Sequence, residues 1–233
     1  MMKKRTVVCL ASTMLLASNT FAGFASLSSL ASQVVDSASG TSSSTGMDLA
    51  SFFQQAKTAN QMFLQSRTSL ATLFAERKES AELQLKLESL KTTSNLKEKE
   101  AIQKEITQLT NAVLDASKKD EAATIEKINA LSASQKDQLL KSMTNFTLAS
   151  LTARELVTNS KGVSMQLLSN PKSLGNSGLS LMDAKGLLGD VTSIAKNSSM
   201  ALIEYPQLLK KANVSFKVPT STAEKPQDIS NFL

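Results

Sequence analysis

Apolar residues recur at helical spacing along the first half of the chain. Between Leu49 and Phe74 they form a stripe with a period of about 3.6 residues, which predicts a helix with one buried face. Three further leucines, spaced four and three residues apart, continue the stripe between positions 83 and 90. Neither glycine nor proline occurs between Met47 and Lys161. Because both residues disfavour the interior of a helix, their absence over this length favours long helices.

A polar run at residues 92–95 interrupts the stripe. Asn95 and Glu98 have the spacing of a capping box, so a new helix is expected to begin there. Five apolar residues then follow at alternating spacings of four and three, as in a heptad seam: Ile102, Ile106, Leu109, Val113 and Ala116. Folding the chain back at residues 92–95 places the two stripes face to face. We therefore predict an all-α fold built on a long antiparallel helical hairpin, whose first helix would run from Leu49 to Thr92 if unbroken.

Two weaker breaks are expected beyond the hairpin. One lies near residues 118–120, and the other lies near residues 131–134, where Ser134 and Asp137 repeat the capping pattern. The helix that follows is expected to end at Gly162, because glycine is the common residue at a helix C-terminus.

The last third of the chain contains all four prolines, and the helices expected there are shorter. Residues 163–169 form one, residues 181–203 form another, and Pro206 begins a third. Residues 214–218 alternate between apolar and polar as a strand would, but no other segment offers a partner strand, so no β-sheet is expected. Residues 217–233 are polar and are expected to be a flexible C-terminal tail.

Charged residues are concentrated in the predicted hairpin. Residues 76–105 hold 14 charged side chains in 30, whereas residues 139–216 hold 12 in 78. We expect the first region to protrude as a solvated, coiled-coil-like arm and the less charged residues to form a helical-bundle body. The predicted organisation is a long-helix hairpin and bundle at residues 47–161, with shorter helices completing the body at residues 162–216.

The first 22 residues have the features of a secretory signal peptide. The short basic start Met1–Arg5 precedes an apolar stretch too short to span a bilayer, and small residues follow it. These features predict cleavage between Ala22 and Gly23 and a periplasmic or secreted mature protein without a transmembrane segment. Residues 23–46 contain nine serines and are expected to be a Ser-rich segment and linker.

Composition narrows the available chemistry. The chain has no His, no Trp, one Tyr and one Cys. Without histidine there is no imidazole base and no His-ligated zinc, and a single cysteine cannot form an internal disulfide. The formal net charge is +6, but basic and acidic residues interleave, so the one-sided basic surface that nucleic-acid binding needs is not expected.

The sequence offers two routes to catalysis without histidine, and each has a simpler explanation. Ser193 and Lys196 form a Ser-x-x-Lys motif, which places a serine one helical turn from a lysine. The accompanying Ser-Asp-Asn and Lys-Thr-Gly motifs are missing from the sequence, so a chance match explains it better. Paired carboxylates are the second route. Glu98, Glu100 and Glu105 alternate with lysines, as expected of a solvated helix face.

Ligand-binding patterns are equally weak. Asp183 and Asp190 lack the closely spaced oxygen ligands of a calcium loop, and residues 186–189 lack the lysine of a phosphate-binding loop. A stripe of methionine and phenylalanine is suited to a lipid cavity but is more simply core: Met62, Phe63, Phe74, Met143 and Phe146. We assign no catalytic, cofactor-binding or metal-binding residue, and no cofactor.

These observations favour a non-enzymatic exported bacterial envelope protein that acts through protein–protein interaction, as a periplasmic chaperone, adaptor or scaffold. A partner protein or a second copy is expected to bind the charged helical arm. Two alternatives stay open. One is a secreted α-helical membrane-active protein, although the polar hairpin tip and its charged flanks argue against insertion. The other is a periplasmic binder of lipid or of a small apolar ligand, which would use the less charged body.

Overall fold

A computed structural model describes residues 49–169 and 181–229, and these residues contain helices and connecting segments without a β-strand. This confirms the predicted all-α class. In chain order the helices are α1 (Leu49–Phe74), α2 (Arg77–Thr92), α3 (Leu96–Lys119), α4 (Glu121–Ala130), α5 (Ala133–Ser169), α6 (Leu181–Lys196), a π-helix (Met200–Glu204) and α7 (Tyr205–Lys211). The predicted signal peptide and the Ser-rich segment lie outside the described residues.

Helix α1 lies at the centre of the bundle. It packs most extensively against α5 and also contacts α2, α3 and α6. The apolar stripe predicted from the sequence is buried, with Phe52 and Phe53 almost fully enclosed. Because neighbours surround α1 on several sides, the helix also buries small polar residues such as Ser66 and Ser69. The core that results is one continuous cluster of apolar side chains.

The helix expected from Leu49 to Thr92 is two helices. The break falls at Ala75–Glu76, where the backbone N–H of Glu76 donates to the Glu79 carboxylate at 3.0 Å and so helps to cap α2. Residues 93–95 then separate α2 from α3, and Asn95 Oδ1 accepts a bond of 3.4 Å from the N–H of Glu98.

Helices α2 and α3 contact each other, and an ion pair between Lys86 and Glu105 joins them. Helix α3 also packs against α1, which brings Val113 and Leu114 into the core. The protruding arm that the charge distribution favours therefore stays a prediction.

Helix α5 differs from the prediction at both ends. It continues through Gly162 to Ser169, and a Cβ atom at Gly162 would meet no atom within 4 Å. A single helical glycine costs only about 1 kcal/mol relative to alanine, so the packing of α5 against α1 and α6 outweighs it. The helix begins after Ser132, which exchanges side-chain-to-backbone bonds of 3.0 and 3.3 Å with Gln135, two residues before the expected cap.

The segment expected as one helix from residue 181 to residue 203 is also divided. Helix α6 ends at Lys196, and a π-helix leads directly into α7, with Pro206 in the first turn of α7. Pro206 fits this position because the first turn of a helix does not use its N–H groups for helical hydrogen bonds.

The C-terminal segment, residues 212–229, forms neither helix nor strand. It lies against α5, where Asn145 holds the backbone of Gln227, and its last described side chain, Ile229, is fully buried. The flexible tail expected over residues 217–233 stays a prediction, but residues 227 and 229 have defined contacts with the bundle. One buried isoleucine and one paired carboxamide provide an attachment that the average composition of the segment does not reveal.

Candidate functional site

The two faces of α2 have different surroundings. One face buries Leu83, Leu87 and Leu90 against the rest of the bundle. The opposite side carries five exposed residues at spacings of three and four, which we call the outer face of α2: Lys78, Ala81, Leu85, Glu88 and Thr92. At its centre, Leu85 is 65% exposed. Helix α2 therefore has a second seam with heptad-like spacing that points to solvent.

Charges of both signs surround Leu85. Lys78 and Glu88 lie on the same face, and Lys86 is paired across to Glu105 on α3. The hydrogen bond that Lys86 Nζ donates to the Glu105 carboxylate raises the pKa of Lys86, so this lysine is charged at neutral pH. An exposed leucine flanked by charges of both signs is similar to the arrangement of a protein interface, which has an apolar core and a polar rim.

A second feature is a buried aromatic centre around Tyr205, at the start of α7. The ring stacks against Phe74 with centroids 5.8 Å apart and meets the edge of Phe146 at 6.3 Å. The hydroxyl is hydrogen-bonded to Ser117 Oγ on α3 at 3.0 Å. Burial raises the pKa of Tyr205 to about 12. Its hydroxyl is therefore neutral at physiological pH and ties α7 to α3.

Arg67 lies beside this centre, on α1. Its guanidinium carbon sits 5.1 Å from the centroid of the Phe63 ring, within the range of a cation–π contact. Nε of Arg67 is buried and has no hydrogen-bond partner among the described residues, as is true of the buried Oδ1 of Asn111. Burial lowers the pKa of Arg67 but leaves it charged, so Arg67 cannot serve as a base.

A cleft of about 220 Å³ opens between α3, α4, the π-helix and α7. Two ion pairs cross its rim, Lys118 with Glu204 at 3.0 Å and Lys211 with Glu121 at 2.5 Å. Each lysine is held by a carboxylate, and the Tyr205 hydroxyl at the cleft is bonded to Ser117. The charged groups at this cleft are therefore already paired within the protein.

The structure gives the candidate catalytic residues exposed positions or partners of their own. Ser193 and Lys196 are both exposed on α6. Glu105 pairs with Lys86, and the Glu98 carboxylate accepts a bond of 2.7 Å from Thr93 Oγ1, so these two carboxylates have different partners. The side chain of Glu100 lies outside the described residues.

The candidate ligand-binding residues are likewise accounted for by the fold. Asp190 accepts a bond of 2.9 Å from Asn60 Nδ2 and joins α6 to α1, whereas the side chain of Asp183 lies outside the described residues. Gly186 and Gly189 lie within α6, in open surroundings. The methionine and phenylalanine stripe is buried in the core, which agrees with its simpler interpretation.

Sequence reasoning did not single out the outer face of α2. The regular spacing of Leu83, Leu87 and Leu90 predicts the buried face of α2, and Leu85 does not fit that spacing. The available signal was a fourth leucine, positioned between Leu83 and Leu87, that the buried seam cannot contain. The outer face gives no clear apolar periodicity in the sequence, because only Ala81 and Leu85 among its five residues are apolar.

No family model, curated protein or solved structure matches this chain. Within residues 49–169 and 181–229, no helix is both long and apolar enough to cross a membrane. The same residues contain no group of three or more His, Cys, Asp or Glu side chains arranged to hold a metal ion.

Proposed function

We propose that this is a non-enzymatic, exported bacterial envelope protein that binds another protein through the outer face of α2. Its class would be that of a periplasmic chaperone, adaptor or scaffold. The observation that carries the proposal is the exposure of Leu85 at the centre of a heptad-like seam. The signal-peptide features of residues 1–22 support export.

The outer face suits a partner helix. Its spacings of three and four residues are those by which one helix receives the side chains of another. Leu85 would supply the apolar contact, and Lys78 and Glu88 would select a partner helix that carries both signs of charge. Since α2 is already held by its buried leucines, the face is preorganised, and little ordering is needed on binding.

Site-specific photo-crosslinking tests this proposal in a bacterium that produces the protein. A benzophenone side chain placed at Leu85 is expected to capture a discrete protein partner in the envelope fraction. The same probe at Thr158, an exposed position on α5, is the control and should capture none. Equal capture from both positions, or none from either, would count against the outer face as a binding site.

A pair of substitutions measures how much the leucine contributes. Leu85→Glu is expected to weaken partner binding at least about tenfold, because it puts a charge into the apolar centre of the contact. Ile203→Glu is the matched control, since Ile203 is 54% exposed but lies on the π-helix. The variants should have equal helicity and thermal stability. Equal partner binding by both variants would contradict the assignment.

The same variants distinguish the membrane-active alternative. Flotation with vesicles of neutral and of anionic lipid should leave the protein unbound if the partner is a protein. Binding to vesicles that Leu85→Glu abolishes would instead assign the outer face to a lipid surface and would overturn the proposal.

A further inference from the structure

One side chain of α5 holds the backbone of the C-terminal segment. Asn145 Nδ2 donates to the carbonyl oxygen of Gln227 at 2.7 Å, and the N–H of Gln227 donates to Asn145 Oδ1 at 2.7 Å. A neighbouring β-strand would offer a residue the same two bonds. Asn145 itself is fully buried. This carboxamide clamp therefore recognises an extended backbone and places no demand on the side chain at position 227.

Two further contacts fix the direction and register of the segment. Thr222 Oγ1 donates to the Glu155 carboxylate at 3.0 Å, so the segment runs antiparallel to α5. Two residues beyond the clamp, Ile229 is fully buried in the apolar core. The site thus takes an extended backbone followed, two positions later, by a branched aliphatic side chain.

The connection to the rest of the chain has a defined turning point. Helix α7 is closed by a bond of 2.9 Å from the N–H of Val214 to the carbonyl of Leu209, which is the long bond of a Schellman motif. The residue at its turn, Asn213, has a φ of 56°, in the left-handed region that asparagine tolerates better than most residues. After it, residues 214–220 form neither helix nor strand. A change of backbone angles near Asn213 would redirect the whole segment, including Val214 and Phe216, which pack against the core, and would leave the helices unchanged.

We infer that residues 214–229 form an exchangeable strap, and that the strap of a second copy of this chain docks on the bundle and α5 in the same way, with its own Val214 and Phe216 replacing those of the first copy. In such a segment-exchanged dimer the clamp, the Thr222 contact and the Ile229 site all recur, and only the connection near Asn213 differs. A second copy is the occupant because its sequence satisfies every one of these contacts by identity. An opened chain also leaves the buried carboxamide of Asn145 unpaired, which favours recapture of a strap. The inference does not use the outer face of α2.

Disulfide trapping between full-length chains tests the exchange. The chain contains one cysteine, Cys9, so all variants carry Cys9→Ser. One population carries Glu155→Cys and the other carries Thr222→Cys, and the two are mixed over a range of concentrations and then oxidised. We expect covalent dimers whose fraction rises with protein concentration. Replacing the first population by Arg154→Cys, exposed on the same turn of α5 but directed elsewhere, should give about tenfold less dimer because disulfide geometry is restrictive.

A chain carrying both Glu155→Cys and Thr222→Cys provides the reference. It should close an internal disulfide at low concentration, as the closed form requires. If this chain closes but the mixed populations stay monomeric at every concentration, the strap does not exchange and the inference fails. If the double variant does not close, the strap does not dock on α5 as described, and the inference fails at its first step.

Discussion

Tyr205 is the only tyrosine in the chain, and there is no tryptophan, so its ionisation can be followed directly by phenolate absorbance. Burial raises its pKa to about 12 from the ordinary value of 10.0, and the bond with Ser117 acts in the opposite direction. We predict that the phenolate forms near pH 12 in the folded protein and near pH 10 in the chain unfolded by urea. Coincident titration curves in the two states would show that the ring is not enclosed.

The same pKa shift predicts a loss of stability at alkaline pH. Between about pH 10 and pH 12 the folded protein keeps the Tyr205 proton that the unfolded chain has released, so the free energy of unfolding falls as pH rises. The contribution is fully present below pH 10. Tyr205→Phe cannot titrate and should lose less stability across this window, as measured by urea unfolding. Below pH 10 the variant should be less stable by about 1 kcal/mol, because it lacks the bond to Ser117.

For Arg67 we predict that removing a buried group leaves the stability of the protein unchanged or raises it. Its guanidinium is partly enclosed, and Nε has no hydrogen-bond partner among the described residues, so the nearby Asp115 compensates the cost of burying the charge only in part, and the pKa of Arg67 is lowered. Arg67→Met keeps an unbranched apolar stem and removes the guanidinium, together with its charge and its contact with the Phe63 ring. We expect the free energy of unfolding to stay within about 1 kcal/mol of the original or to rise. Arg67→Ala should destabilise the protein, because it also removes the packed stem. A loss of about 3 kcal/mol or more in Arg67→Met would reveal a necessary ion pair.

At the scale of single helices, the sequence and the structure place Gly162 differently: the sequence predicts the end of a helix there, whereas the structure has it inside α5. If this glycine ended its helix in a left-handed conformation, alanine there would be strained and destabilising. In the structure Gly162 lies within α5, and an added Cβ meets open space. Gly162→Ala should therefore stabilise the protein by about 0.5–1 kcal/mol in urea unfolding. Gly186→Ala, in α6, also meets open space and serves as a matched comparison.

The helices that the sequence located well are those whose pattern reflects burial on one face. The stripe of α1 corresponds to buried side chains such as Phe63. The heptad spacing in α3 holds for Ile106 and Val113, but its last position, Ala116, is exposed, and Leu114 is buried instead.

The break at Glu76 was missed because glutamate is a weak capping residue. The available signal was the gap from Phe74 to Leu83, which would place these two side chains on opposite sides of a straight helix. The helix end expected at Gly162 was wrong because tertiary packing overrides a local preference worth about 1 kcal/mol.

The functional surfaces were harder to predict, because they depend on which face the fold leaves uncovered. Leu85 has the same chemistry as Leu83, and only the position of the bundle decides that one is exposed and the other buried. The clamp at Asn145 left no pattern in the sequence, since it contacts backbone that any residue at position 227 would provide. Such sites need three-dimensional information because their partners are distant in the chain.

For the molecule as a whole, the contacts of α1 decide how the protein unfolds. Helix α1 touches α2, α3, α5 and α6, and its side chains belong to one continuous core. No part of the described bundle therefore has a core of its own apart from α1. We expect unfolding to be a single cooperative transition in which far-ultraviolet circular dichroism and Tyr205 fluorescence change together.

A substitution in the seam between α1 and α5 tests this cooperativity. Ser69 is fully buried, and its Oγ is bonded to Ser142 Oγ at 2.7 Å and to Gln138 Nε2 at 3.0 Å. Ser69→Leu inserts three extra carbon atoms between closely packed helices and leaves Gln138 without this partner. We expect a loss of about 3 kcal/mol or more, with equal shifts of the circular dichroism and fluorescence midpoints. Ser89→Leu, on the exposed side of α2, should change stability by no more than about 0.5 kcal/mol. If the two midpoints separate in Ser69→Leu, α7 and its aromatic centre unfold independently of the α1–α5 seam, and the bundle is not one cooperative unit.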